Sequence, residues 1–137
     1  MEFQMTLFTW DEKYSVNNEE LDNHHKRLFV ILTNLHNSCL AKAHRVTLTS
    51  IVEELLSYAS YHCEAEERHM KRIGYKNIKE HVSENRLFTD IIYKQQYPRD
   101  IKDSVVTMET ALSLWKLLID HILEEDMKYA KSTIRRL

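Results

Sequence analysis

The sequence predicts an all-α fold, an antiparallel up-down four-helix bundle with an N-terminal arm. The chain has 137 residues but only one glycine and one proline, so the tight turns of a sheet-rich fold would lack their usual residues. Apolar residues instead recur every three or four positions in four long segments, which is typical of amphipathic helices. Short links join these segments, and short links favour antiparallel neighbours.

The elements follow in order along the chain. Residues 1–17 show no helical period but carry four aromatic residues, so we expect an ordered arm lying over apolar surface; the bundle is expected over residues 18–137. The arm aromatics are Phe3, Phe8, Trp10 and Tyr14. The predicted helices run from about Asn18 to the low forties, from about Thr47 to Gly74, from about Asn77 towards Pro98, and from about Ile101 into the C-terminal segment.

Composition limits the class of protein. A chain of this length is expected to form a single domain over residues 1–137. The net charge of −2, with acids and bases interleaved, gives no basic stripe for nucleic acid, and no apolar run is long enough to insert in a membrane. The two cysteines fall in no disulfide or zinc-finger spacing, and the N-terminus does not read as a signal peptide. We therefore expect a cytoplasmic protein.

The helical stripes are not purely apolar, because histidines and carboxylates interrupt or border them on all four helices. An isolated His and Glu four residues apart is more often a surface pair than a pair of ligands. Candidates on all four helices would meet inside one small bundle, and this changes that judgement. Several titratable side chains are costly to bury there unless they are paired with one another or bound to a metal. Imidazole and carboxylate donors without a thiolate cluster favour iron, manganese or zinc. The candidates are His25, His62, Glu66, His81, His121 and one of Glu125 or Asp126.

At these residues the sequence resembles the hemerythrin family. The resemblance lies in "LDNHHKRLF" around His25, "HCEAEERHM" with His62 and Glu66, "GYKNIKEH" leading to His81, and "HILEED" with His121 and Asp126. It covers the chain from Trp10 to about Tyr129, with the motifs on four separate helices in the right order.

The resemblance implies a cofactor of two iron ions (Fe2+/Fe3+) joined by an oxo or hydroxo bridge and by the carboxylates of Glu66 and Asp126. One iron would take His25 and His62 and keep an open position for O2. The other would take His81, His121 and one further histidine.

That further histidine is absent, because Asn85 stands four residues after His81. An amide oxygen is a weaker iron ligand than an imidazole, so we expect a vacant, water-filled or loosely held position. Glu84 is a second candidate for this place, although it would approach from another side of the helix.

Three residues are expected in the O2 pocket by the same resemblance. Cys63 takes a place where the family usually has an aromatic residue, which would make the pocket roomier. Leu118 matches the apolar residue that shields bound O2, and Ile122 lies beside it along the fourth helix.

Spacing and resemblance disagree about the last carboxylate. Glu125 lies four residues after His121, whereas Asp126 lies five residues after it and would point elsewhere on an ideal helix. The family uses the fifth position, which local widening of the helix could bring into reach. We follow the family and predict Asp126.

The remaining histidines match no ligand position. We expect them to be solvated or capping side chains. They are His24, His36, His44 and His69.

These features predict a non-haem di-iron domain that binds O2, oxidises readily in air and acts as a redox sensor in a bacterial signalling protein. Its output would pass through the C-terminal helix to a fused or associated domain. The alternatives are an O2 carrier or store, and an enzyme of the di-iron oxidase or peroxidase type. We expect that the protein is not an enzyme; weak oxidase or peroxidase activity is the alternative.

Overall fold

The computed structural model describes residues 9–96 and 108–134, and every regular element in these ranges is helical. A 3-10 turn at Glu12–Tyr14 precedes α1 (Glu19–Leu40), α2 (Arg45–Ile73) and α3 (Ile78–Gln96). α4 (Met108–His121) passes directly into a π-helical turn at Ile122–Asp126 and then into α5 (Met127–Ile134). Phe3, Phe8 and the predicted start of the fourth helix at Ile101 lie outside the described residues.

Contacts between the long helices confirm the predicted four-helix bundle. α1 packs on α2 and α4, and α3 packs on the same two helices, so the four form a closed ring. α1 and α2 run antiparallel, because Asn18 contacts His69 near one end while Arg27 faces Glu54 further along.

α4 runs antiparallel to α3. His81, near the start of α3, meets Asp126, whereas Phe88 on the same helix stacks on His121. The order of contacts is therefore reversed between the two helices.

Local sequence signals explain where α1 and α2 begin and end. The Asn18 side chain accepts a hydrogen bond from the Leu21 backbone N–H, which caps α1. His44 caps α2 by accepting from the backbone N–H of Val46 at 3.3 Å. α2 ends at Gly74, whose φ of 66° and ψ of 39° are left-handed, and Tyr75 N–H donates to the Met70 carbonyl across that turn.

The described part of the N-terminal arm, residues 9–17, lies over α1, as Trp10 and Tyr14 predicted. Trp10 and Tyr14 both pack on Phe29, with ring centroids 5.6 Å and 5.5 Å from it. Asp22 on α1 accepts hydrogen bonds from the Ser15 hydroxyl and the Val16 N–H, which secures the chain where it enters the helix.

The core divides into two apolar clusters. The larger one fills the bundle between all four long helices, and the smaller one joins the start of α1, the end of α2 and α5. Between residues 9 and 96 and between 108 and 134, no helix is both long and apolar enough to cross a bilayer.

The left-handed backbone at Gly74 generates a stability prediction. Gly74→Ala places a Cβ where it crowds the following carbonyl, so the free energy of unfolding should fall by about 1–2 kcal/mol. Gly74→Asn should cost less, because asparagine tolerates this region better. Urea unfolding of the metal-free protein measures both, with Ser83→Ala at an exposed helical position as the control. A Gly74→Ala protein as stable as the parent would contradict this account.

Candidate metal centre

The six predicted ligand residues come together at one place inside the bundle. Each of the four long helices, or the turn that follows α4, contributes at least one of them. None of their side chains is more than 8% exposed. They are His25, His62, Glu66, His81, His121 and Asp126.

These side chains form two adjoining pockets. The first pocket is lined by His25, His62, Glu66 and Asp126, and the second pocket by Glu66, His81, His121 and Asp126. In each pocket, one potential ligand atom from every residue lies within 4.8 Å of the others. The two carboxylates belong to both pockets.

Each shared carboxylate presents one oxygen to each pocket. Asp126 places Oδ2 3.1 Å from His25 Nε2 and Oδ1 3.0 Å from His81 Nε2. Glu66 places Oε2 3.5 Å from His62 Nε2 and Oε1 2.7 Å from His81 Nε2. This arrangement suits two cations bridged by two carboxylates.

The π-helical turn at Ile122–Asp126 decides which carboxylate enters the centre. The wider turn brings Asp126 to the same side as His121, with Oδ1 3.3 Å from His121 Nε2 and the side chain fully buried. Glu125 instead pairs with Lys128 at the bundle surface. The structure therefore favours Asp126, and it does so by the local widening considered above.

Several buried polar atoms at the centre make no hydrogen bond of acceptable geometry within the described residues. They include Nε2 of His25, Nε2 of His62 and both oxygens of Asp126. Buried polar atoms without partners are costly, and here they face one another across the two pockets. Imidazole nitrogens and carboxylate oxygens are the donors that first-row transition metals accept, so the residues fit a pair of such ions.

The two pockets differ in the protonation of their histidines. Burial lowers the pKa of His25 to about 4, so its imidazole is neutral at pH 7. Burial also acts to lower the pKa of His81, but the carboxylates of Asp126 and Glu66, which lie 3.0 Å and 2.7 Å from its Nε2, outweigh it and raise that pKa to about 10. The first pocket thus offers a free nitrogen at His25, whereas the second holds a proton at His81.

The shared surroundings shift the pKa values of the two carboxylates in opposite directions. Burial and the charge of Glu66 raise the pKa of Asp126 to about 6. Burial would raise the pKa of Glu66 too, but the close imidazoles of His62 and His81 hold that pKa well below its usual range. Glu66 is therefore the carboxylate whose charge the centre already stabilises without a metal.

Asn85 lies inside the second pocket and is 2% exposed. Its Nδ2 donates to Glu66 Oε1 at 3.2 Å and to Glu67 Oε2 at 3.3 Å, while its Oδ1 accepts from His121 Nε2 at 2.9 Å. The side chain is therefore held by three polar contacts, and its expected weak binding to metal stays a prediction. Among the described residues, neither group of potential ligands includes Glu84.

The three expected pocket residues are all buried in the larger apolar cluster. Cys63 is 6% exposed, Leu118 2% and Ile122 0%. Burial raises the pKa of the Cys63 thiol, and the charges of Glu66 and Asp126 raise it further, so the thiol lies near both carboxylates and stays protonated.

The expectation of solvated or capping side chains was wrong for His24 and His36, which are 6% and 3% exposed, and right for His44. His24 Nδ1 lies 3.0 Å from His62 Nδ1, and its Nε2 lies 4.0 Å from a Glu20 oxygen. If His62 presents Nε2 to a metal, its Nδ1–H donates to His24, which orients the ring. The only sequence signal was the pair of adjacent histidines in "DNHHK".

Sequence reasoning also missed Tyr129. Its hydroxyl donates to Glu66 Oε2 at 3.0 Å, and its side chain is fully buried against the ring of His81. This contact ties α5 to one of the shared carboxylates. Its spacing of three residues after Asp126 places it one turn further along the same side of the helix.

We predict that His24→Leu destabilises the protein and weakens the first pocket. The change leaves His62 Nδ1 buried without its partner, which should cost about 1–3 kcal/mol in the free energy of unfolding. His24→Gln keeps a polar partner and is the control. Urea unfolding and metal titration measure the two effects, and a His24→Leu protein indistinguishable from His24→Gln would contradict the assignment.

We also predict that filling the second pocket with a divalent ion releases about one proton at pH 7, because His81 must give up the proton it holds below its pKa of about 10. Affinity at that pocket should then rise about tenfold per pH unit between pH 7 and 9, where Asp126, with its pKa of about 6, has already lost its proton. Calorimetry with Zn2+ in buffers of different ionisation enthalpy counts the protons. Uptake without proton release would show that His81 is already neutral.

Known proteins resemble this chain over most of its length. The family model of the hemerythrin HHE cation-binding domain matches residues 16–131. A bacteriohemerythrin of Clostridium acetobutylicum is 29% identical, covering 90% of this chain and 98% of that protein. One from Pseudomonas aeruginosa is 27% identical over 91% of this chain and 80% of its own length.

Solved structures share the fold. Wild-type hemerythrin superposes with a TM-score of 0.83 at 24% identity, covering 91% of this chain and 96% of that one. A hemerythrin point mutant gives a TM-score of 0.84 at 23% identity over 93% and 97% of the two chains. The family match spans most of the sequence and includes all six clustered side chains. The chain therefore belongs to the hemerythrin HHE cation-binding domain family, whose cofactor is a pair of non-haem iron ions.

Proposed function

We propose that this chain is a single O2-binding and redox-sensing domain over residues 1–137. In this proposal, His25 and His62 would hold one iron, His81 and His121 would hold the other, and Glu66 and Asp126 would be shared between the two. The observation that carries it is the orientation of the two carboxylates, each with one oxygen towards each pocket. A single metal ion would leave one of these oxygen pairs buried and unused.

The surroundings suit the binding of a small apolar molecule. A pair of ferrous ions, when bound, supplies the electrons with which O2 is held. Leu118 and Ile122 exclude water from the centre, and the protonated Cys63 thiol offers neither charge nor a strong hydrogen bond. Tyr129 holds Glu66 in place through its hydroxyl.

We propose further that the centre oxidises readily in air. Asn85 stands where the family has an imidazole, and its amide oxygen is a harder donor that favours the ferric over the ferrous state. Cys63 is smaller than the aromatic residue usual at its position, which gives attacking molecules more room. Both changes act against long-lived reversible O2 binding.

Tyr129 supports a sensory output through the C-terminal helix. It lies on α5 and donates to a shared carboxylate, so a change in the charge or position of Glu66 acts directly on that helix. Either a fused or an associated signalling domain could receive the movement. The O2 or redox state of the iron pair would be the signal.

Two other functions remain distinct candidates. A carrier or store would hold O2 reversibly for hours in air, which the Asn85 amide and the small Cys63 side chain oppose. An oxidase or peroxidase would turn over a substrate faster than free iron does, and the neutral amide donor of Asn85 is the feature that favours it.

The first test is iron content together with the absorption spectrum. Protein purified without added metal should contain two irons per chain, and its ferric charge-transfer bands should bleach on anaerobic reduction and return in air. Asn85→His should slow that return roughly tenfold, because an imidazole stabilises the ferrous state. Ser83→Ala is the matched control on an exposed face of α3.

One iron or none would reject the two-iron proposal. An Asn85→His protein that oxidises as fast as the parent would show instead that the amide does not control reactivity.

A further inference from the structure

Asn85 is held between α2 and α4 by three polar partners, two on its nitrogen and one on its oxygen. We propose that Glu67 is a positioning residue that turns the Asn85 amide, so that Oδ1 enters the second pocket as an additional oxygen donor to the metal. This inference rests on the proposed two-iron function. It assigns a role to Glu67, which does not belong to either pocket.

The orientation of the amide follows from its neighbours. Nδ2 lies 3.2 Å from a Glu66 oxygen and 3.3 Å from a Glu67 oxygen. Carboxylate oxygens only accept, so the NH2 group must occupy that side and the carbonyl oxygen must occupy the other. A flipped amide would place its oxygen against two carboxylates and its NH2 group against the N–H of His121.

Distances within the second pocket match those between adjacent ligands on one ion. Two ligands bound at about 2.1 Å and at right angles lie about 3 Å apart. Asn85 Oδ1 lies 2.9 Å from His121 Nε2, and His81 Nε2 lies 2.7 Å and 3.0 Å from the nearest oxygens of Glu66 and Asp126. The spacing between the amide oxygen and His121 Nε2 is therefore short enough for both atoms to bind the same ion.

Glu67 is the partner that metal binding leaves in place. Glu66 offers its oxygens to the two pockets, so its hydrogen bond with Asn85 competes with coordination. Glu67 follows it on α2, is half-buried and reaches the same amide nitrogen from outside the pockets. Once Glu66 binds metal, Glu67 alone continues to fix which end of the amide faces inward.

An oriented amide oxygen makes the two pockets unequal in a specific way. The oxygen is a neutral donor weaker than the missing imidazole, so the second ion binds less tightly than it would with that imidazole. That ion also depends on a residue outside its ligand set. Loss of the Glu67 carboxylate should therefore weaken the second ion and leave the first unchanged.

The test is a Co2+ titration of metal-free protein under argon, followed through the visible absorption of the bound ion. The parent should bind two ions in two steps. Glu67→Ala should weaken the second step about tenfold, as loss of a partner to a metal ligand typically does, without changing the first. The shape of the second Co2+ spectrum should change as well, because one oxygen donor leaves.

Two further variants separate orientation from charge and packing. Glu67→Gln keeps an oxygen that can accept from Asn85, so it should restore the second step to within about twofold of the parent. Glu84→Ala removes the same charge one residue before Asn85 and should titrate like the parent. A general effect of negative charge would instead weaken Glu67→Gln and Glu84→Ala equally.

The outcomes distinguish this inference from the function on which it rests. A parent that binds fewer than two ions overturns both. A parent that binds two, with Glu67→Ala titrating identically or Glu84→Ala losing as much as Glu67→Ala, overturns the role of Glu67 and leaves the two-metal proposal intact.

Discussion

Two carboxylates buried among four imidazoles are the constraint on which the rest of this structure depends. Glu66 and Asp126 are both fully buried, and a buried carboxylate without partners is far too costly to retain. The imidazoles around them come from every long helix of the bundle, so this environment is complete only when all four helices are in place. The metal centre and the packing of the bundle are therefore a single arrangement.

The same constraint explains the irregular backbone after α4. A regular helix would direct Glu125 towards the centre and leave Asp126 to one side. The π-helical turn reverses that outcome, and Asp126 then reaches histidines on α1 and α3 while Glu125 stays with Lys128. Such a turn within a helix is often found at functional sites. Tyr129, just beyond it, carries the connection from the centre into α5.

The two pockets share their carboxylates but differ in the rest of their chemistry. His25 is neutral because burial lowers its pKa, whereas His81 keeps a proton between two carboxylates. His24 supports a ligand of the first pocket, and Asn85 with Glu67 occupies the edge of the second. A symmetric set of ligands thus lies in an asymmetric shell of hydrogen bonds.

The sequence by itself determined the helical bundle, the four ligand-bearing segments and the choice of iron-type donors. The scarcity of glycine and proline and the regular spacing of apolar residues are local signals. The motifs around His25, His62, His81 and His121 are each contiguous, so they can be recognised from the sequence alone. Tertiary structure alone decided the partners of Asn85, the burial of His24 and the contact of Tyr129 with Glu66. These contacts join side chains on different helices that are tens of residues apart in the sequence. The spacing of residues within one helix does not predict them.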